Sequence, residues 1–533
     1  MSGKSGLPRE HWGGNIGFVL AAAGSAIGLG NIWKFPYITG ENGGGAFVLV
    51  YLACILLIGL PIMICEITLG RYAQKDPVGA FLKVAPNPTG TTRSAGVVFL
   101  LLAAGLLCFG KFGLAGVFTL IALLIFRYGW GTLGFLCVFT PFIILSYYGT
   151  VGGWTIAYFF KGIFQGLNFT EPAAAEATFM SFANNPYWAV FYQLFFVGLC
   201  GLVVWFGIRN GIELASKFLL PLLFLLLIIL IMRSLTLPGA AAGVRFLLSP
   251  DFSKLSGEGV LIALGHAFFS LSLGMGAMLT YGSYLDQNKN IFANSLTIVA
   301  LDTMVALMAG LAIFPAVFAM GLDPQAGPGL VFQIMPMTFN AIGDHFGWFW
   351  SSIFFLLLAI AALTSGICMV EVCVSCLIDY FGIKRHKAAF WSTAAAAFIG
   401  VLCTLSVFNW DRFPTLAASI GWLFGTPAAS MFDLADKFSS NYLLPLGGMG
   451  ISLFVGWVWG TRHAVAEIRR GGGQYADVNF FALLAGMKDD PESNDRTHTF
   501  TLAMIWGIFI RFISPVCIVI AFLHAIGWLK IAF

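Results

Sequence analysis

Charge is what this chain has least of. Asp, Glu, Lys and Arg make up 10% of its 533 residues, 59% are hydrophobic, and the mean hydropathy is +0.88. Soluble domains carry about 25% charged residues, so this chain's solvent is lipid rather than water. No polar stretch has room for a separate soluble domain, the longest running from Thr461 to Thr499. The net charge of +4 is spread without a basic run interleaved with aromatics, which argues against a nucleic-acid partner. Seven histidines without HxxxH pairing argue against zinc. Ten cysteines, mostly inside apolar segments, do not make a disulfide framework, and the CxxC of Cys373 and Cys376 merely sets two thiols on one helix face. Lys4 and Arg9 precede an apolar run too long for a signal peptide and lacking a small-residue cleavage site, so it reads as a retained first helix.

What is abundant is membrane-spanning sequence. Apolar runs begin near Trp12, Ala46, Gly131, Trp188, Gly211, Glu258, Ile291, Trp348, Ala388, Asn441 and Phe500. Each is about the 20 residues needed to cross a bilayer, predicting about eleven spans. Lys/Arg clusters at the N-terminus, Arg71 to Arg93, Arg209 and Lys217, Lys384 to Lys387, and Arg462 to Arg470 alternate consistently if they and the N-terminus are cytoplasmic. Arg233, Arg245 and Lys254 then fall outside. A further stretch, 95–126, has cytoplasmic flanks and must cross an even number of times; it is expected to be a hairpin of two short helices with Lys111 near its tip.

The first span is interrupted by "GSAIGLGNIW" at 24–33, where glycine weakens a helix by about 1 kcal/mol per residue. "SLGMGA" at 272–277 resembles "AIGLGN" at 26–31, each mid-way along a span and each opening one half of the chain. Such paired interruptions suggest inverted repeats whose broken helices meet at mid-membrane. Small-residue helix packing is the alternative for either stretch alone. Where helices unwind, freed N–H groups suit an anion and freed carbonyls suit a small hard cation. Sodium plus a zwitterion would satisfy both.

In order along the chain stand "REHWGGNIGFVLAAAGSAIGLGNIWKFPY", "ENGGGAF", "CEITLGR", "SYYGTVGGW", "RSLTLPGA", "HAFFSLSLGMGAMLTYGSYL" and "ALTSGICM". Together these resemble the signature segments of the neurotransmitter:sodium symporter family, particularly its bacterial amino-acid transporters, over nearly the whole chain except 95–126. The resemblance implies an all-α integral membrane protein. It would have two inverted five-helix repeats (12–234 and 255–460) with broken first and sixth helices, an eleventh core helix, and the inserted hairpin. A cytoplasmic loop over 461–498 would precede a final helix over 499–529.

The resemblance also implies two sodium sites. One would use the Ala26 carbonyl, Asn31, Ser270, Asp302 and the substrate carboxylate; the other, carbonyls of Gly24, Ile27 and Ala361 with hydroxyls of Thr364 and Ser365. Amides of Leu29 and Gly30 and the Tyr148 hydroxyl would hold a carboxylate. Carbonyls of Ala26, Phe269 and Ser270, with Ser272, would hold an ammonium. Ile144, Tyr148, Phe269, Met275, Ser365, Cys368 and Met369 would line a compliant side-chain pocket. Gly28 stands where monoamine carriers of the family have an aspartate, so the substrate must bring its own carboxylate.

Asp302 departs from the commoner asparagine. Two sodium ions and a zwitterion would leave excess positive charge in a dry site, which chloride neutralises in many relatives. A fixed carboxylate at Asp302 would replace chloride and, once empty, take up a proton, with His266 and Tyr51 sharing in the charge compensation. Glu66, embedded in a span, would cap freed amides of the broken helices. The outer gate would be Lys34 with Asp436, lidded by Tyr148 and Phe269. Arg9 with Asp379, flanked by Trp12 and Tyr284, would form the inner gate. Gly211 and Pro221 would let the fifth helix unwind. The expectation is a sodium-coupled importer of neutral, mostly hydrophobic amino acids in the plasma membrane, chloride-independent, with proton antiport and no chemistry on its substrate. Its rivals are a non-transporting amino-acid sensor or channel on the same fold, and an enzyme using Glu66, His266 and Asp302, for which no nucleophile or metal set is present.

Overall fold

The computed structural model describes residues 9–85, 90–108, 112–167, 169, 172–322, 331–332, 335–342, 346–409, 430–471 and 501–525. Among them the chain is all-α. Helices α1 (Asn15–Ala26) and α2 (Gly30–Glu41) form one span bent by 46°, followed by the continuous α3 (Gly45–Ala73). The short α4 (Pro77–Val84) is capped by Asp76, which accepts from Val78 N and Gly79 N. Helices α5 (Gly90–Cys108) and α6 (Phe112–Tyr128) pack along each other as a hairpin. They hold 19 and 17 residues, or about 28 and 26 Å at 1.5 Å per residue. Lys111 lies outside the described residues.

Then come α7 (Gly131–Phe164), α8 (Pro172–Ala183), α9 (Pro186–Trp205), α10 (Ile208–Leu235) and α11 (Ala240–Leu248). Another interrupted span, α12 (Gly257–Ser270) and α13 (Ala277–Gly282), leads to α14 (Ile291–Ala319). The chain continues through α15 (Met335–Ile342), α16 (Gly347–Asp379), α17 (Arg385–Val407), α18 (Met431–Arg469) and α19 (Leu502–His524). Among the described residues nine helices are long and apolar enough to cross a membrane, besides the bent pair α1 and α2.

Packing sets the two interruptions at the centre. α7 runs along α16; α1 rests on α10, α14 and α16; α12 and α13 both pack on α3. The hairpin lies to one side, where Ala103, Leu106, Ala115 and Phe118 meet Leu446 of α18, with Tyr442, Phe522 and Leu136 packed around them. The polar stretch expected from 461 begins differently: α18 continues as helix to Arg469. Its buried Glu467 pairs with buried Arg71 at 2.9 Å, which ties the end of α18 to the end of α3 and draws those charges out of water. Residues 472–498 of that loop lie outside the described residues.

Candidate functional site

Helix α1 stops because Ile27 is extended, at φ −72° and ψ 99°. The chain then turns back, with Asn31 N donating to Gly28 O (3.2 Å) and Gly28 N to Asn31 Oδ1 (3.1 Å). It resumes as a π-helix over Gly30–Lys34. After α12 the backbone is left-handed at Ser272 (φ 54°), Gly274 (φ 79°) and Gly276 (φ 69°). Ser272 is the strained member, since a non-glycine residue there costs about 1 kcal/mol or more. Its hydroxyl donates to Ser25 O of α1 at 2.9 Å, joining one interruption to the other. The amides freed at the second interruption are taken by buried Glu66 of α3, through Gly274 N at 2.7 Å and Leu279 N at 3.3 Å.

Between the interruptions lies a narrow pocket. Ala26, Gly28 and Gly30 line it from the first interruption and Phe269, Ser272 and Met275 from the second. Ile144 and Tyr148 of α7, Ser365 and Met369 of α16, and Leu444 of α18 complete it. None of these carries an ionisable acid or base except the phenol of Tyr148, which accepts from Leu29 N at 3.1 Å. A Cβ on Gly28 would meet Tyr148 Oη at 2.9 Å and Ser365 Cβ at 3.1 Å, so the pocket is that narrow there. Cys368 is buried but not among the lining.

Beside the pocket, residues far apart in sequence converge on Asp302 of α14. Asn31 Nδ2 donates to Asp302 Oδ1 (2.7 Å) and to its carbonyl (3.0 Å), and Ser270 Oγ to Asp302 Oδ2 (2.9 Å). Tyr51 Oη reaches Ser270 Oγ at 3.1 Å. All four side chains are buried, and the carboxylate's partners are neutral. A buried charge held only by neutral groups favours a cation nearby, and the donor set of amide, hydroxyl and carboxylate oxygens suits a hard one such as sodium. His266 is not bonded to Asp302. Its ring stands 5.2 Å from that of Tyr51 and 6.1 Å from Phe35, and neither nitrogen has a hydrogen-bond partner among the described residues. Across α1, Thr364 Oγ1 lies 3.1 Å from Ala361 O and 3.4 Å from Ile27 O, and a Cβ on Gly24 would touch Thr364. This second group is again oxygen only. Among the described residues no cluster of His, Cys, Asp and Glu suits a transition metal.

The Sodium:neurotransmitter symporter family model matches residues 9–106 and 185–487. The chain belongs to that family. An uncharacterized sodium-dependent transporter of Bacillus subtilis, YhdH, is 37% identical over 519 residues, covering 97% of this chain and 98% of its own. Another, from Haemophilus influenzae, is 32% identical over 526 residues, at 97% and 98%. The crystal structure of MhsT in complex with L-phenylalanine superposes with a TM-score of 0.74 at 37% identity, over 97% of this chain and all of that one. This protein is therefore a multi-pass sodium-dependent membrane transporter rather than an enzyme.

The two ends of the symporter differ. At the end that holds the segment before α1, Arg9 pairs with Asp379, donates to Ser283 Oγ (2.6 Å), and lies 4.7 Å over the Tyr284 ring. Trp12 Nε1 donates to Tyr281 O at 3.0 Å. At the other end, Lys34 and Asp436 form no ion pair. Lys34 Nζ sits 4.5 Å over the ring of Phe269, while Asp436 accepts from Ser440 Oγ at 3.1 Å. Several residues of this arrangement were given no role by the sequence. Glu10 accepts from Ile208 N (2.6 Å) and pairs with Arg385, and buried Glu213 accepts from Gly13 N (2.7 Å), so both pin the segment before α1. Leu444, an apolar residue in an apolar helix, carries no signal in the sequence that sets it apart.

Proposed function

We propose that this transporter imports neutral, mostly hydrophobic amino acids with sodium by alternating access around the two interrupted spans. The observation that carries the reading is the lining itself, which offers no carboxylate or ammonium to a substrate. A charged ligand here would have to bring its own charges, and the two charges of a zwitterion would fit the freed amides and carbonyls. Its carboxylate would meet the Leu29 and Gly30 amides, Tyr148 and one sodium ion; its ammonium, the carbonyls of Ala26, Phe269 and Ser270. An apolar side chain would fill the space beside Ile144, Met275 and Met369. Relatedness to MhsT in complex with L-phenylalanine supports an amino acid over a monoamine.

Two sodium ions would bind. Asn31, Ser270, Asp302 and the Ala26 carbonyl would hold one, and carbonyls of Gly24, Ile27 and Ala361 with Thr364 and Ser365 the other. Asp302 would take the place of chloride and accept a proton on the return step, with Tyr51 between it and His266. Residues 12–234 and 255–460 would be inverted repeats, and the N-terminus would be cytoplasmic in the plasma membrane. The paired Arg9 and Asp379 and the separated Lys34 and Asp436 would then correspond to a carrier shut on that inner side.

Counterflow in proteoliposomes, run over all amino acids with and without sodium and chloride, tests the reading. Sodium-dependent exchange of apolar amino acids that persists without chloride is expected. No exchange would point to a sensor, sodium-independent flux to a channel, and a strict chloride requirement would remove the role given to Asp302.

A further inference from the structure

We propose that Leu444 is a specificity-determining residue that sets how large a substrate side chain the pocket admits. The proposal rests on the amino-acid reading above. Leu444 is the lining residue contributed by α18, it is 1% exposed, and it has no polar atom to offer a ligand beyond its backbone. What distinguishes it is that its position cannot relax. A Cβ on Gly274 would strike the Leu444 carbonyl oxygen and stand 2.8 Å from Gly448 N, and a Cβ on Gly447 would strike the Gly274 carbonyl. The backbone of α18 therefore lies directly on the left-handed turn of the second interruption.

Just before this contact α18 runs as a π-helix over Ser439–Leu443. The extra residue in that turn re-aims the next one, so Leu444 faces the pocket while Leu446 faces the hairpin. There Leu446 packs with Ala103, Leu106 and Phe118, which backs α18 from the side away from the site. A leucine clamped in this way cannot move aside for a larger ligand, nor can its helix collapse into the gap left by a smaller residue. Met275 and Met369, on the same lining, are flexible and adapt. The branched side chain of Leu444 is the stiff wall.

The test uses the full chain in proteoliposomes and compares KM for sodium-dependent uptake of valine, leucine, phenylalanine and tryptophan. Leu444→Ala is expected to lower the KM of the aromatic substrates relative to valine by about tenfold, and Leu444→Phe to shift the ratio as far the other way. If Leu444→Ala does not fold, Leu444→Val gives a smaller shift of the same sign. Leu446→Ala, on the hairpin side of α18, does not enter the pocket and leaves the contact between α18 and Gly274 in place, so it should shift the ratio much less than the Leu444 variants. An unchanged ratio in the Leu444 variants, or an equal shift in Leu446→Ala, overturns the assignment alone. Absence of amino-acid uptake by the unsubstituted protein overturns the functional reading and this assignment with it.

Discussion

Gly28 would shape substrate choice by the atom it lacks. Because a Cβ there would press on Tyr148 Oη and Ser365, Gly28→Ala should raise KM for apolar amino acids at least about tenfold, the cost of overpacking by one carbon. Uptake kinetics on the purified variant check this. Asp302 matters by what it carries. Asp302→Asn keeps hydrogen-bonding groups beside Asn31 and Ser270 but removes the fixed negative charge, so uptake should become dependent on added chloride. Both residues were legible in the sequence, one as a missing carboxylate and one as a charge inside an apolar run. Leu444 was not legible, because an apolar residue in an apolar helix has no pattern to mark it, and only the approach of Gly274 makes it special.

At the scale of elements, each interruption survives because other helices complete its backbone. Glu66→Ala would leave Gly274 N and Leu279 N without their acceptor, at about 1–3 kcal/mol for each buried group. The variant should melt at lower temperature and lose sodium-dependent binding, whereas Glu66→Gln, which retains one acceptor oxygen, should fall between. The Arg9 end, which would be the inner side, would have its own control in the cap of α4. Buried Asp76 donates its N–H to Asp379 Oδ2 at 2.8 Å and faces Arg9, Cys376 and Tyr380. Burial, and then the Asp379 carboxylate, raise its pKa to about 7 against the pull of the Gly79 and Val78 amides and of Arg9. Once exposed by opening, the same carboxyl would titrate near 4. Between about pH 4 and 7 the closed inner face thus binds the extra proton, so closure weakens as pH rises through that window and levels off above it. Labelling of Ser216→Cys, buried on α10, should be slower at pH 5 than at pH 7 beyond the thiol's own pH effect. Asp76→Asn in the same background should abolish that excess.

For the whole molecule, the bilayer made most of the fold readable. Lipid forces every span to be long and apolar, so the apolar runs fell where the helices are, and glycine-rich stretches marked both interruptions at Ile27 and Ser272–Gly276. The reach of α18 to Arg469 was hidden, because hydropathy fades where the helix becomes amphipathic and Glu467 turns inward to Arg71. The separation of Lys34 from Asp436 was hidden too, since a carrier's sequence encodes more than one arrangement of its gates. Common to all three scales is the proposal that cations and a zwitterion complete the two interrupted helices. The decisive measurement is a sodium titration of radiolabelled phenylalanine or leucine binding to the purified protein, with potassium keeping ionic strength constant. No binding in potassium alone and a cooperative rise with sodium, of Hill coefficient above 1, are expected; equal binding in the two salts would contradict that role for the ions.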